Sequence, residues 1–221
     1  ELARQVHAKA EHAGRAVLGS GVNPGFVMEI LAVVLSTMLR RVTRVRCVRR
    51  TEAALRRKPL QQKVGVTLKH DDFVRLARQG KVGHQGLPES VALLAAGLGR
   101  TVEPDSVLET LKPQLADRPI KSVMGLIEPG HVCGIRNVAR WQVQDLSIEL
   151  DLTMAVGVSD PTDMIELDGP VPLNLTIPGS IPGDSATVAA LLNHVRLVHQ
   201  ATPGLRTPLD MPPAGCRGLD A

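Results

Sequence analysis

The chain has 221 residues, 43% of them hydrophobic, which is enough to bury a substantial core in one or two domains. Its three cysteines, Cys47, Cys133 and Cys216, are scattered. They exclude a disulfide framework and any C-x-x-C metal or redox motif, and they point to a reducing, cytoplasmic setting. A net charge of +4 combined with only three aromatics (Phe26, Phe73, Trp141) and no Tyr leaves almost no stacking surface for single-stranded nucleic acid, so nucleic-acid binding is disfavoured.

In chain order, Glu1–Ala13 reads as a polar, alanine-rich helix before a short apolar strand at Ala16–Leu18. The loop that follows, GSGVNPG, permits a tight turn and opens a second helix from Gly25 to about Leu39 that is apolar on most faces. That helix contains the longest apolar run, Phe26–Leu35, which Glu29 interrupts and which falls short of the roughly 20 residues of a membrane span. No secretory signal pattern starts the chain, and membrane partners are not expected. The chain opens on Glu1 rather than Met, which fits a piece of a longer protein.

Next comes a basic segment, Arg40–Lys58, with nine Lys/Arg against one acid. It holds a strand near Val42–Arg50, where Val45 and Cys47 alternate with Arg44 and Arg46 as in a strand with one wet face. Three readings of the segment stay open: a solvated strand or domain-facing surface, a nucleic-acid patch, or arginines turned to a cofactor phosphate. Asp71-Asp72 is expected to cap a short helix ended by Gly80, and Pro88-Glu89-Ser90 to open another over Val91–Leu98 ended by Gly99.

The best strand signal is Leu146–Val156, with six apolar positions at period two. Val171, Leu173, Leu175 and Ile177 repeat the pattern, with Pro172 marking an edge. Lys121–Ile127 and Val132–Gln142 are expected as partners in the same sheet, and Ser185–Val198 as a closing helix. The fold class is therefore α+β: an open, mostly β sheet domain with covering helices, following the remnant of an α/β domain. Expected boundaries are 1–40 for the tail of a doubly wound domain, 41–183 for an α+β domain, and 184–221 for a closing helix and tail that return to the first part.

Several constellations fail. His194 and His199 are five apart and do not form the i, i+4 pair of a helical zinc site, so no metal ligand set is assigned. There is no G-x-S-x-G elbow and no cysteine with a persuasive histidine partner. The glycines Gly19, Gly21 and Gly25 are spaced G-x-G-x-x-x-G, one residue longer than the dinucleotide fingerprint.

That loop carries a resemblance. GVNPGF at Gly21–Phe26 resembles the second half of the NAD(P)-dependent amine dehydrogenases and 2,4-diaminopentanoate dehydrogenases, enzymes with a dihydrodipicolinate reductase-like architecture. KVG (Lys63–Gly65), GHQGLPES (Gly83–Ser90), MAVGVSDPTD (Met154–Asp163), GDSAT (Gly183–Thr187) and PGLRTPLDMPP (Pro203–Pro213) look like the same family in the same order. The E-[LM]-H-H and K-x-D-A-P-S-G-T motifs of true dihydrodipicolinate reductases are missing, which argues against diaminopimelate-pathway reduction.

The resemblance implies an oxidoreductase acting on CH–NH2 groups with NAD or NADP, an amine or ketone substrate, and a homodimer, with 1–40 as the tail of the dinucleotide-binding domain and 41–183 as the substrate-binding and dimerisation domain. It implies that Asn23, with Gly21, Pro24 and Gly25, faces the nicotinamide carboxamide. It also implies that His84 lines the substrate pocket, and Phe26, Val33 and Gln62 are expected as its further walls by their place near the same motifs. From the residues alone, Asn23 reads first as a turn asparagine and His84 as a structural histidine. The family's catalytic glutamate lies upstream of the helix leading into GVNPGF, so no residue here matches it, Glu1 is not given that role, and no catalytic residue is assigned. The chain alone is expected to be inactive; a non-catalytic binding or assembly module is the alternative.

Overall fold

The period-two runs become one six-stranded sheet, and the computed structural model describes residues 1–54 and 56–216. Helix α1 (Leu2–His12) and strand β1 (Ala16–Leu18) lead through the glycine-rich loop into a π-helical turn over Phe26–Ile30 and helix α2 (Leu31–Ser36). Strand β2 (Arg44–Glu52) precedes helices α3 (Lys58–Lys63), α4 (His70–Arg78) and α5 (Leu87–Gly97). Strands β3 (Leu108–Leu115), β4 (Ile120–Ser122), β5 (Gly125–Ile127), β6 (Val132–Val143), β7 (Leu146–Ala155), β8 (Thr162–Asp168) and β9 (Leu173–Pro178) follow. Helix α6 (Gly183–Gln200) and strand β10 (Gly204–Arg206) close the chain.

The sheet order is β3-β6-β7-β2-β8-β9, with β2 and β7 parallel and every other neighbouring pair antiparallel. The expected α+β class holds, with a mixed sheet carrying helices on one face. Val45, Cys47, Trp141, Ile148, Leu150, Leu152, Ile165 and Leu167 point to that face and bury against Val27, Met28, Ala32, Leu87, Val91 and Leu94. A second cluster around Phe73, Val64, Ile127, Val132 and Ile135 fills the end of the sheet under α3 and α4.

The opposite face of the sheet accounts for the basic segment. Arg46 bridges Glu149 (3.0 Å) on β7 and Glu166 (3.2 Å) on β8, while Arg44 meets Asp168 at 2.9 Å. Arg136 holds Asp151 through two hydrogen bonds of 2.9 and 2.7 Å, and Arg140 reaches Glu149 at 2.6 Å. Arg44 and Arg46 of β2 are thus matched by acids on its two neighbours.

Two local expectations are corrected. Lys121–Ile127 does not join the main sheet: β4 and β5 form their own two-stranded hairpin. Asp71 and Asp72 lie in the first turn of α4, where negative charge is favourable, and Lys69 occupies the N-cap position. Asp184 likewise sits inside the first turn of α6 behind Pro182, and its carboxylate pairs with Arg56 at 2.9 Å.

Beside the main sheet, β1 and β10 pair in parallel as a separate two-stranded sheet, Ala16–Leu18 against Gly204–Arg206. His7 of α1 accepts a hydrogen bond from the Leu205 amide at 3.2 Å, which ties α1 to β10. Along α6, Val188, Leu191, Leu192 and Val195 form an i, i+3, i+4, i+7 stripe, each about half exposed. No helix among the described residues is long and apolar enough to cross a membrane.

Candidate functional site

Strand β1 ends where the loop Gly19–Gly25 begins, and the loop folds tightly on itself. The Asn23–Pro24 peptide bond is cis. Gly25 has φ of +138°, and a Cβ there would come within 2.7 Å of the Gly21 carbonyl oxygen and 2.9 Å of the Gly21 nitrogen. Only glycine fits such a conformation and such an approach. The Val22 carbonyl then accepts the amides of Phe26 and Val27, starting the π-helical turn.

A second loop reaches the same place from α5. At Gly86 (φ +110°), a Cβ would lie 2.9 Å from Cγ of Pro24, so the GHQG segment packs directly on the Asn23-Pro24 turn. From the third side, Thr187 in α6 approaches Gly21, its Cγ2 being 3.8 Å from where a Gly21 Cβ would stand. Three motifs far apart in sequence therefore converge: Gly21–Gly25, Gly83–Ser90 and Gly183–Thr187.

The polar side chains in this convergence are unusual. Glu29 is fully buried, and its Oε1 accepts a hydrogen bond from Asn23 Nδ2 at 3.0 Å. Burial pushes its carboxyl pKa above the ordinary carboxylate value, against the opposing pull of Ser90, the Gly25 backbone and Asn23. The Ser90 hydroxyl is near enough to exert that pull, yet neither Ser90 Oγ nor Glu29 Oε2 closes a hydrogen bond of good geometry. A buried carboxyl with one unsatisfied oxygen is costly, and an apolar residue would pack there at less cost.

His84 lies in the packed loop with its Nδ1 buried and without a partner. Burial, with the positive charges of Lys63 and Arg49 nearby, pulls its pKa down to about 4, so the imidazole is neutral at physiological pH. The His84 carbonyl accepts Asn137 Nδ2 at 3.2 Å, and the same amide group donates to Glu109 at 2.9 Å, pinning the loop to β6 and β3. The Gly83 amide donates to the Lys63 carbonyl at 2.7 Å and fixes the loop to the end of α3.

Arg49 and Asp163 form the buried ion pair behind this site, at 2.9 Å with side-chain exposures of 3% and 1%. Asp163 also accepts Ser180 Oγ (2.9 Å) and the Ile181 amide (2.7 Å), while Arg49 donates to the Ile181 carbonyl at 2.6 Å. The pair anchors the segment that launches α6 toward Gly21.

Of the residues expected from sequence, Gly21, Asn23, Pro24 and Gly25 form the loop at the end of β1, the loop carrying His84 packs on it through Gly86, and Phe26, 43% exposed, starts the π turn. Val33 is elsewhere. It packs on Gly97, where a Cβ would meet Val33 Cγ2 at 2.4 Å, at the far end of the 11-residue α5. That end is about 16 Å from Gly86 along the helix axis. Gln62 is exposed on α3, and its side chain makes no hydrogen bond among the described residues, whereas its buried neighbour Gln61 ties α3 to the Ala53 and Ala54 carbonyls. Sequence reasoning missed Glu29, Ser90, Asn137 and Arg49. Glu29 carried a signal, being the one acid within an apolar run.

Comparison with known proteins gives the family. A family described as the 2,4-diaminopentanoate dehydrogenase C-terminal domain matches residues 26–218. The chain belongs to that family. The match begins at Phe26, so Glu29, His84, Ser90 and the whole six-stranded sheet lie inside the family domain, and the Gly21–Gly25 loop stands directly before it. The chain is 26% identical over 219 residues to 2,4-diaminopentanoate dehydrogenase of Acetoanaerobium sticklandii, covering 96% of this chain and 62% of that protein. The structure of an amine dehydrogenase from Mycobacterium smegmatis superposes with a TM-score of 0.87 at 21% identity, covering 98% of this chain and 64% of the other. At that identity the likeness is one of fold. The chain spans less than two thirds of the length of either relative.

Proposed function

We propose that this chain is the substrate-binding portion of an NAD(P)-dependent oxidoreductase acting on CH–NH2 groups. The reaction is the interconversion of an amine with a ketone or aldehyde plus ammonia, through an imine that accepts hydride from the reduced nicotinamide. The observation that carries this reading is the packing of Gly86, in the loop that carries His84, on Pro24 beside Asn23, in a chain whose family is that of a diaminopentanoate dehydrogenase domain.

Asn23 supplies the amide that pairs with the nicotinamide carboxamide. The neutral His84 ring offers a hydrogen bond to the substrate without adding positive charge next to an amine. A parallel two-stranded sheet such as β1–β10 is normally part of a larger, doubly covered one, and the α6 stripe is uncovered. A doubly wound dinucleotide-binding body seated on β1, β10 and α6 supports both, brings the pyrophosphate-binding glycines, and decides between NAD and NADP. Hydride transfer requires that body, so this chain alone is inactive.

A second copy of the chain covers the ion-paired face of the six-stranded sheet, whose groove of about 730 Å³ runs between Arg46, Arg136 and the loop at Val156–Asp160. Light scattering reads that homodimer directly.

The reading is tested by joining the chain behind the dinucleotide-binding portion of the Acetoanaerobium sticklandii relative and following NAD(P)⁺ reduction with 2,4-diaminopentanoate and simple alkylamines. The fusion is expected to reduce cofactor and the chain alone to reduce none. A folded fusion that binds NAD(P)H yet turns over no amine would overturn it in favour of a binding module.

A further inference from the structure

Among the described residues, Glu29 is the one fully buried carboxylate on the helix-covered side that faces no cationic partner within hydrogen-bonding distance; the buried Asp163 has Arg49. Its single side-chain hydrogen bond is to Asn23 Nδ2. A carboxyl in this setting is retained at a cost to stability, since the surrounding Val27, Met28, Leu87 and Val91 would accept an apolar side chain. What it does gain is the orientation of the asparagine amide.

An asparagine side chain presents a donor end and an acceptor end that differ only by rotation of the amide, and a half-buried asparagine in a loop has no intrinsic preference between them. Here the donor end is taken by Glu29, and Asn23 Oδ1 accepts no hydrogen bond among the described residues. We propose that Glu29 is a positioning residue that fixes Asn23 with its carbonyl oxygen turned to the ligand, and so makes the site specific for a pyridine ring bearing a carboxamide over one bearing a carboxylate.

The inference rests on Asn23 facing the nicotinamide. The chemistry then follows from matching donors to acceptors. A carboxamide offers an N–H to Asn23 Oδ1. A carboxylate, as in nicotinic acid mononucleotide, offers only oxygens and meets Oδ1 with two acceptors facing each other. A site whose buried polar group is built for one partner rejects the analogue lacking it. Without Glu29, the Asn23 amide can turn its NH2 outward and accept either ligand. Ser90 completes the arrangement on the far side of the carboxyl, where Glu29 Oε2 and Ser90 Oγ both remain free to adjust.

The test titrates the purified chain by calorimetry with nicotinamide mononucleotide and with nicotinic acid mononucleotide, each in reduced form. Wild type is expected to favour the carboxamide by roughly tenfold, the value of one hydrogen bond kept or lost. Glu29→Leu, which fills the apolar site without an acceptor, is expected to keep the fold and bring the two ligands within about twofold of each other. Glu29→Gln retains an acceptor for Asn23 Nδ2 and is expected to restore the wild-type preference. Circular dichroism of each variant confirms folding before titration. A Glu29→Leu protein that keeps the full preference overturns the positioning role while leaving the cofactor reading intact. Wild type that binds neither ligand overturns the role together with the cofactor reading beneath it. Wild type that binds both equally overturns the role, and Asn23→Ala then decides the cofactor reading: loss of binding upholds it, and retained binding overturns it.

Discussion

Removing one partner of the Arg49–Asp163 pair should cost more than any surface substitution in this protein. In Asp163→Ala, a guanidinium that is 3% exposed loses its counter-charge at 2.9 Å, and the Ser180 hydroxyl and Ile181 amide lose their acceptor. Breaking a buried pair from one side costs about 3–5 kcal/mol, because the survivor is left charged and desolvated. Burial already pulls the Arg49 pKa below its ordinary value, which reports the same desolvation from the arginine side. For a domain of this size about 3–5 kcal/mol corresponds to a melting-temperature drop on the order of 10 °C. Urea unfolding followed by Trp141 fluorescence measures it, since that single tryptophan is buried in the main core. Replacing both partners together, Arg49→Met with Asp163→Leu, should recover most of the loss, to within about 2 kcal/mol of wild type. An Asp163→Ala protein within about 1 kcal/mol of wild type would refute the reasoning, because the pair would then have to be solvated or dispensable.

Further outcomes follow from the same geometry. Gly25→Ala, forced to φ of +138° against the Gly21 backbone, should lose about 2–4 kcal/mol of stability by thermal melting and should abolish nicotinamide mononucleotide binding. Val33→Ala, packed on Gly97 away from the loop, should lower the melting temperature and leave ligand affinity unchanged. For His84 the folded pKa is pulled down to about 4 from 6.5, so as pH falls below 6.5 the unfolded chain takes up a proton that the folded one refuses. Stability is therefore lost on acidification through that window, by about 1.4 kcal/mol per pH unit and at most about 3 kcal/mol before water reaching this half-buried ring is counted. His84→Asn should flatten that acid arm in pH-dependent urea unfolding. Glu29 has the opposite sign: its raised pKa makes the folded state lose ground as pH rises above 4.5, and Glu29→Gln should remove that slope.

Much of the fold could be read from the chain because its signals are local. The alternation at Leu146–Val156 became β7, Pro172 marked the edge beside β9, and Gly99 stopped the helix at α5. Strand β3 was missed because LETLKPQL has no clean alternation and carries Pro113, tolerable there since β3 lies at the edge. Strand β8 was missed because its inward positions run Asp163, Ile165, Leu167, and an aspartate on the core face makes sense only once Arg49 stands opposite it in the ladder. The basic segment admits three readings in sequence for the same reason: the acids that meet Arg44 and Arg46 are supplied by β7 and β8, about a hundred residues away. At the site, the loop residues were legible from their motifs, whereas Val33 and Gln62 were placed by proximity in sequence, which a helix of one or two turns is enough to undo. Glu29 needed Ser90 and Asn23 to be seen together before a charge in an apolar run became meaningful.

The most direct measurement is an NMR footprint of reduced nicotinamide mononucleotide on the isotope-labelled chain. The account predicts saturable shifts confined to Gly21–Gly25, His84–Ser90 and the start of α6, the three segments that converge at the end of β1. Shifts centred on the Arg46 and Arg136 groove across the sheet, or none at saturating ligand, would contradict it.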